Sequence, residues 1–203
     1  MDAEGWNERY RASELVWSAG PNQFVESELT GLPPGRALDL ACGEGRNAIW
    51  LARQGWEVTA VDFAQAGLEK GRTLGQGLDI AWVCADATTW ERGDEPAYDV
   101  SVIAYLQVAA PERRAAVRNA YAALREGGTF LLVAHDSTNL TEGTGGPQDP
   151  SVLMTAQDVV TDLGGKTFEV QRAERVARLV GDGHGEEPAA TAWDCLVRVV
   201  RRS

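Results

Sequence analysis

The residues most able to do chemistry lie together in Leu38-Asp39-Leu40-Ala41-Cys42-Gly43-Glu44-Gly45-Arg46-Asn47, where an apolar run carrying one acid enters two glycines and a helical pattern begins. Glycines at 43 and 45 let the backbone approach a ligand at a helix N-terminus, where unpaired N–H groups and the positive dipole end favour an anionic group. The same spacing fits a dinucleotide turn, G-x-G-x-x-A, through Gly43, Gly45 and Ala48, with Asp62 where a ribose-binding acid belongs. Asp39 separates the readings. A carboxylate just upstream repels a pyrophosphate but complements a ligand that carries an ammonium and a sulfonium.

Other candidates fall at the ends of apolar runs. Asp62 and Asp86 could bind a ligand or cap the turns that follow them. His135, beside Asp136, is the best placed general base if an acceptor is protonated at neutral pH; the bland alternative is a hydrogen bond to the following loop. Trp6 and Tyr10, four residues apart, read as a helix face packed on the core or as a lid. His184 falls in a Gly-rich link.

From Arg36 onward, short β-rich runs alternate with helical patterns, the signature of crossover units building a parallel sheet. Five strands are expected, at 37–41, 57–61, 80–84, 98–104 and 129–134. Helices are expected from Arg46 to near Gly55, around Leu68 and Leu74 despite Gly67 and Gly71, and from Pro111 through Leu124, ended by Glu126-Gly127-Gly128. After a Gly/Pro-rich loop at 137–150, Thr155 to Asp158 reads as a capping box before one last helix. Stretches 168–180 and 192–200 are joined by a link too short for a parallel return, so they form an antiparallel pair. That hairpin departs from the all-parallel second half of a dinucleotide domain. Residues 1–35 read as one or two helices across the sheet edge.

A chain of 203 residues with 44% hydrophobic content suits one domain over 1–203, with an N-terminal helical lid at 1–35 and a core at 36–203. Thirty acidic residues against nineteen basic ones give a net charge of -11, which repels phosphate backbones and anionic membrane surfaces, so nucleic acid and membrane are not expected partners. With no basic, apolar leader and no run approaching the roughly 20 apolar residues of a bilayer span, a cytoplasmic location is expected. Cys42, Cys84 and Cys195 have no metal-site or disulfide spacing and read as small core residues. No metal site is expected, although Asp136 and Asn139 carry hard ligands. The 142–147 loop lacks the Lys-Ser/Thr of a P-loop and reads as a substrate-side cover.

The run from Asp39 to Gly45 resembles motif I of class I S-adenosylmethionine-dependent methyltransferases, whose sheet ends in such a hairpin, and the likeness covers nearly the whole chain. Trp6-Asn7-Glu8-Arg9-Tyr10, Pro21-Asn22 and Glu44-Gly45-Arg46-Asn47 are most similar to small bacterial enzymes of the tellurite-resistance and thiopurine methyltransferase-like type. The sequence departs from the motif where Ala41 replaces its first glycine. The resemblance implies an α/β, Rossmann-like seven-stranded mixed sheet, five parallel strands and then a C-terminal antiparallel hairpin, with helices on both faces. It implies that Ala41, Cys42, Gly43 and Gly45, with Arg46 and Asn47, approach the methionine part of the cofactor, and that Asp39 sits near its ammonium. Asp62 would hold the ribose hydroxyls, Phe63 would flank the adenine, Asp86 and Ala87 would read its edge, and Tyr105 and Leu106 would border the methyl-transfer chamber. Arg9, Tyr10 and Trp17 would form the lid or substrate side.

The implied activity is methyl transfer from S-adenosyl-L-methionine, leaving S-adenosyl-L-homocysteine, to a small-molecule acceptor at O, N, S or a metalloid, by a monomer or homodimer. Ala104-Tyr105-Leu106-Gln107 is unlike the Asp-Pro-Pro-Tyr of amino-methylating nucleic-acid enzymes, which disfavours bases as acceptors. The alternatives are a non-catalytic S-adenosylmethionine-binding domain and an NAD(P)-dependent oxidoreductase.

Overall fold

The computed structural model describes residues 2–16, 18, 20–180 and 190–203. Trp17, His184 and the expected hairpin tip lie outside the described residues. Seven strands, β1 (Arg36–Leu40), β2 (Glu57–Asp62), β3 (Ile80–Cys84), β4 (Tyr98–Ala104), β5 (Leu124–His135), β6 (Phe168–Val180) and β7 (Ala190–Arg201), form one sheet in the order β3-β2-β1-β4-β5-β7-β6. The first five run parallel, and β7 runs antiparallel to both β5 and β6. Helices α1 (Ala3–Arg11) and α2 (Gln23–Leu29) precede the sheet. Crossovers α3 (Arg46–Arg53), α4 (Gln65–Leu74) and α5 (Ala110–Ala122) follow β1, β2 and β4, while α6 (Asn139–Glu142) and α7 (Ala156–Asp162) lie between β5 and β6.

Apolar side chains run on without a break from Phe130 to Val133 of β5 because both faces of the sheet are covered, successive ones pointing to opposite faces. Phe130 and Leu132 of β5 meet Ala116, Val117 and Ala120 of α5 and Val159 of α7. Leu131 and Val133, one residue out of phase, meet the opposite layer of Val25 and Leu29 from α2, Ala48 and Leu51 from α3, and Leu68 from α4. Two ion-pair groups reinforce this packing. Asp162, 1% exposed, accepts from Arg113 at 2.7 Å and Arg114 at 3.1 Å, which joins α5 to α7. Glu28 of α2 pairs with Arg172 and Arg198 of the hairpin.

Gly67 and Gly71 sit inside α4, where glycine ordinarily costs a helix about 1 kcal/mol relative to Ala. Here the cost admits a close approach. A Cβ at 67 would stand 3.0 Å from the Gly43 carbonyl oxygen, and one at 71 would stand 2.5 Å from the Trp82 ring and 3.0 Å from the Glu44 carbonyl. The helix therefore rests directly on the glycine turn after β1.

Four expectations need correction. Leu124 opens β5, paired with Tyr98, instead of ending a helix; the Glu126-Gly127-Gly128 stretch is a bulge within that strand, with Gly127 at φ 76°. Helix α6, four residues long, forms inside the stretch read as loop. The N-terminal helices do not lie across an edge: α1 packs on α4, and α2 covers a face of the sheet. Cys84 is exposed, whereas Cys42 and Cys195 fill the core as expected.

Candidate active site

The turn after β1 takes three residues into the left-handed region: Ala41 (φ 65°), Gly43 (φ 59°) and Gly45 (φ 75°). For Ala41 that conformation costs about 1 kcal/mol or more. At Gly45 a Cβ would also stand 2.3 Å from the Trp82 ring, so only glycine fits. Asp39, 1% exposed, points its carboxylate under this turn. Its Oδ2 accepts the Ala48 N–H at 3.0 Å, capping α3, while Oδ1 is buried with no partner among the described residues. Burial pushes its pKa from 3.8 to about 7, against the opposing pull of the Ala48 N–H and of Arg46.

Asp62, at the end of β2, joins two turns. Oδ2 accepts the Gly43 N–H and Oδ1 the Ala64 N–H, each at 2.8 Å. Burial raises its pKa and these N–H groups hold it back. Phe63 packs beside Tyr10, Ala64 and Ala66. Asp86 is exposed, and its Oδ1 accepts both the N–H and the hydroxyl of Thr88 at 2.8 Å, the local turn that the bland reading anticipates. Ala87 is buried, with its carbonyl held by Asn119.

The side chains of Glu44, Arg46 and Asn47 serve the N-terminal segment. The Glu44 carboxylate accepts the Val16 N–H at 3.0 Å and Lys70 Nζ at 3.0 Å; Lys70 also donates to the Ser13 carbonyl. Arg46 donates to Ser18 Oγ at 3.0 Å, and Asn47 Oδ1 accepts the Asn22 N–H at 2.9 Å. In α1, Tyr10 is buried and stacked on Trp6 at 5.5 Å, Arg9 lies over the Trp6 ring at 5.2 Å, and Asn7 caps α4 through the Ala66 N–H. Arg9 and Tyr10 thus belong to a helix clamped against the turn.

A polar cluster sits beside the turn, at the carboxyl ends of β4 and β5. Asp194 of β7, 0% exposed, stands opposite His135 in the antiparallel register. Its Oδ2 accepts from the Tyr105 hydroxyl and from Arg178 Nε, each at 2.7 Å, and its Oδ1 lies 3.3 Å from His135 Nδ1. Burial alone would raise the Asp194 pKa; donors from His135, Arg178 and Tyr105 outweigh it and hold the group ionised. Tyr105, left-handed at φ 59°, has its pKa raised by burial and by the adjacent carboxylate, so it stays a hydroxyl donor. Its ring lies 4.9 Å from the His135 ring, with the Arg46 and Arg178 guanidinium carbons at 6.0 and 5.6 Å. Gln107 accepts the His135 backbone N–H, Leu106 packs against the core, and a Cβ at Gly146 would stand 3.0 Å from the imidazole, so the 142–147 loop does cover His135.

Sequence reasoning missed Asp194 and Arg178. The signal was present for Asp194, a lone carboxylate inside the strand Trp193-Asp194-Cys195-Leu196. Asp136 and Asn139 are engaged in their own loop, Asp136 by Thr138 and Asn139 by Trp193 and Gly145.

This fold, the acid-led glycine turn and the relatives support a class I S-adenosylmethionine-dependent methyltransferase. A family described as a methyltransferase domain matches residues 37–128. Thiocyanate methyltransferase 1 of Brassica oleracea is 24% identical over 181 residues, 84% of this chain and 77% of its own length. Thiopurine S-methyltransferase of Bordetella petrii is 33% identical over 112 residues, 42% of this chain and 48% of its own length. The N-methyltransferase NodS from Bradyrhizobium japonicum WM9, solved with S-adenosyl-L-homocysteine, shares the fold with a TM-score of 0.72 at 16% identity, over 99% of this chain and 98% of that one. Among the described residues no helix is long and apolar enough to cross a membrane.

The cofactor fits the residues present. Asp39 Oδ1, buried without a donor, is an acceptor in want of a cationic group such as an ammonium, and the turn above it has its backbone bared by glycine.

Proposed function

We propose that the chain transfers a methyl group to a small-molecule acceptor, as one domain whose N-terminal segment forms a lid. The observation that carries this reading is the half-buried Tyr105-His135-Arg178 cluster around the buried Asp194, beside the glycine turn. S-adenosylmethionine, when bound, supplies a methyl group already activated on a sulfonium. Asp39 takes its ammonium and the 41–47 turn its methionine part, Asp62 the ribose through lone pairs its two N–H donors leave free, and Phe63, Asp86 and Ala87 the adenine. Tyr105 walls the chamber. Holding nucleophile and methyl in line at about 3 Å supplies much of the rate. His135 takes a proton from an acceptor that has one to lose.

The acceptor class favoured first is a thiol or another soft anion. Two guanidinium groups, Arg46 and Arg178, flank the Tyr105 ring in a chain of net charge -11, and the thiocyanate and thiopurine relatives carry such acceptors in their names. A panel of thiols, phenols and amines incubated with methyl-labelled cofactor, with products read by mass spectrometry, tests this. Label is expected on the thiols first. Binding of S-adenosylhomocysteine with no labelled product from any class would instead mark a non-catalytic binding domain.

A further inference from the structure

His135 Nδ1 and Asp194 Oδ1 are both buried, stand 3.3 Å apart, and have no hydrogen-bond partner among the described residues. Two such atoms cost free energy apart and cancel that cost together, since one can donate and the other only accepts. The carboxylate is itself held rigidly, its Oδ2 fixed by Tyr105 and Arg178 from two other elements. The imidazole keeps 14% of its side-chain surface open, while its Nδ1 is buried.

We propose that Asp194 is the positioning residue for His135: it holds the proton on Nδ1 and thereby presents Nε2 as the base. This rests on the methyl-transfer reading. In the step it serves, an acceptor X–H gives its proton to Nε2 as the X–CH3 bond forms, the electron pair of the broken S–CH3 bond stays on sulfur, and the imidazolium is balanced by Asp194. The charged and titratable groups around the ring are Asp194 from β7, Tyr105 from the turn after β4, and Arg178 of β6 acting through Asp194.

Nitrogen-15 NMR of the whole chain with S-adenosylhomocysteine reads the tautomer directly, and with only two histidines in the sequence a His184→Gln variant assigns the signals. The expected result is an Nδ1–H tautomer for neutral His135. An Nε2–H tautomer in the wild type overturns the proposal, and so does a tautomer in Asp194→Asn that is Nδ1–H to the same extent as in the wild type. The wild-type tautomer decides alone if Asp194→Asn does not fold. Failure of S-adenosylhomocysteine to bind would count against the methyl-transfer reading instead, and the tautomer of the free protein would still be measured.

Discussion

Asp62 Oδ2 accepts the Gly43 N–H at 2.8 Å, tying the end of β2 to the turn that ends β1. The carboxylate expected to hold a ribose is therefore also a brace for the glycine turn, and Asp86, expected to read the adenine, is not.

Asp62→Ala should accordingly lose on two counts. Removing its charge-assisted bonds to ligand lowers affinity for S-adenosylhomocysteine about tenfold or more, and orphaning two N–H groups costs stability of about 1 to 3 kcal/mol each. Asp86→Ala, at an exposed turn, should weaken binding with little change in melting temperature. Calorimetric titration beside thermal denaturation separates the two; a stable Asp62→Ala protein with wild-type affinity would dismiss both roles.

Cofactor affinity should depend on pH through Asp39. Its pKa stands at about 7 in the folded chain against an ordinary 3.8, chiefly through burial. Its neutral form favours folding, so that contribution to stability is full below 3.8 and is lost as pH rises toward 7. An ammonium ligand favours the charged form. Affinity for S-adenosylhomocysteine should climb with pH by up to about tenfold per unit and level off above 7, and Asp39→Asn should flatten the curve. A wild-type profile already flat below 7 would separate Asp39 from the ammonium.

Ala41→Gly should stabilise the chain. The left-handed conformation at φ 65° penalises Ala and not Gly, and the gain of about 1 kcal/mol, reduced by the freer unfolded chain, corresponds to a rise of about 2 to 4 °C. A lower melting temperature would show that the Ala41 methyl group contributes more in packing than its backbone costs.

Glu44→Gln should loosen the N-terminal segment while the sheet stays intact. A neutral amide is a weaker acceptor for the Val16 N–H and no partner in charge for Lys70, and hydrogen bonds to charged groups contribute about 1.5 to 3 kcal/mol. Hydrogen exchange at the Val16 amide should quicken about tenfold, with β4 and β5 amides unaffected. Uniform acceleration across the chain would mean global destabilisation.

Much of this architecture is legible in local pattern. Strands at 80–84 and 98–104 coincide with their expected limits because each is a β-rich run between clear breakers, and the hairpin follows from a link too short for a crossover. Leu124 was misplaced because it is apolar and in phase for the helix as well as the strand; only its pairing with Tyr98 decides. The glycines of α4 read as weak helix formers until the neighbouring turn and Trp82 are in place. Asp194 and Arg178 escaped for the same reason: their partner Tyr105 lies 89 residues before Asp194, and no local period reports such a meeting. The roles of Asp39, Asp62 and His135 as ligand-binding or catalytic groups rest on the experiments above.

The outer strand β6 has thirteen residues and pairs with β7 on one side only, so its other edge is a row of backbone groups able to recruit a foreign chain. Its middle carries Arg172, Glu174, Arg175 and Arg178, each engaged with an opposite charge, and its exposed apolar residues, Val170, Leu179 and Val180, stand toward the ends. An incoming strand would have to strip water and partners from those charges before gaining its first ladder bonds. The longest open edge of the molecule is thereby guarded against amyloid-like growth, and neutralising Arg172 and Glu174 together should make concentrated solutions aggregate while the isolated fold persists.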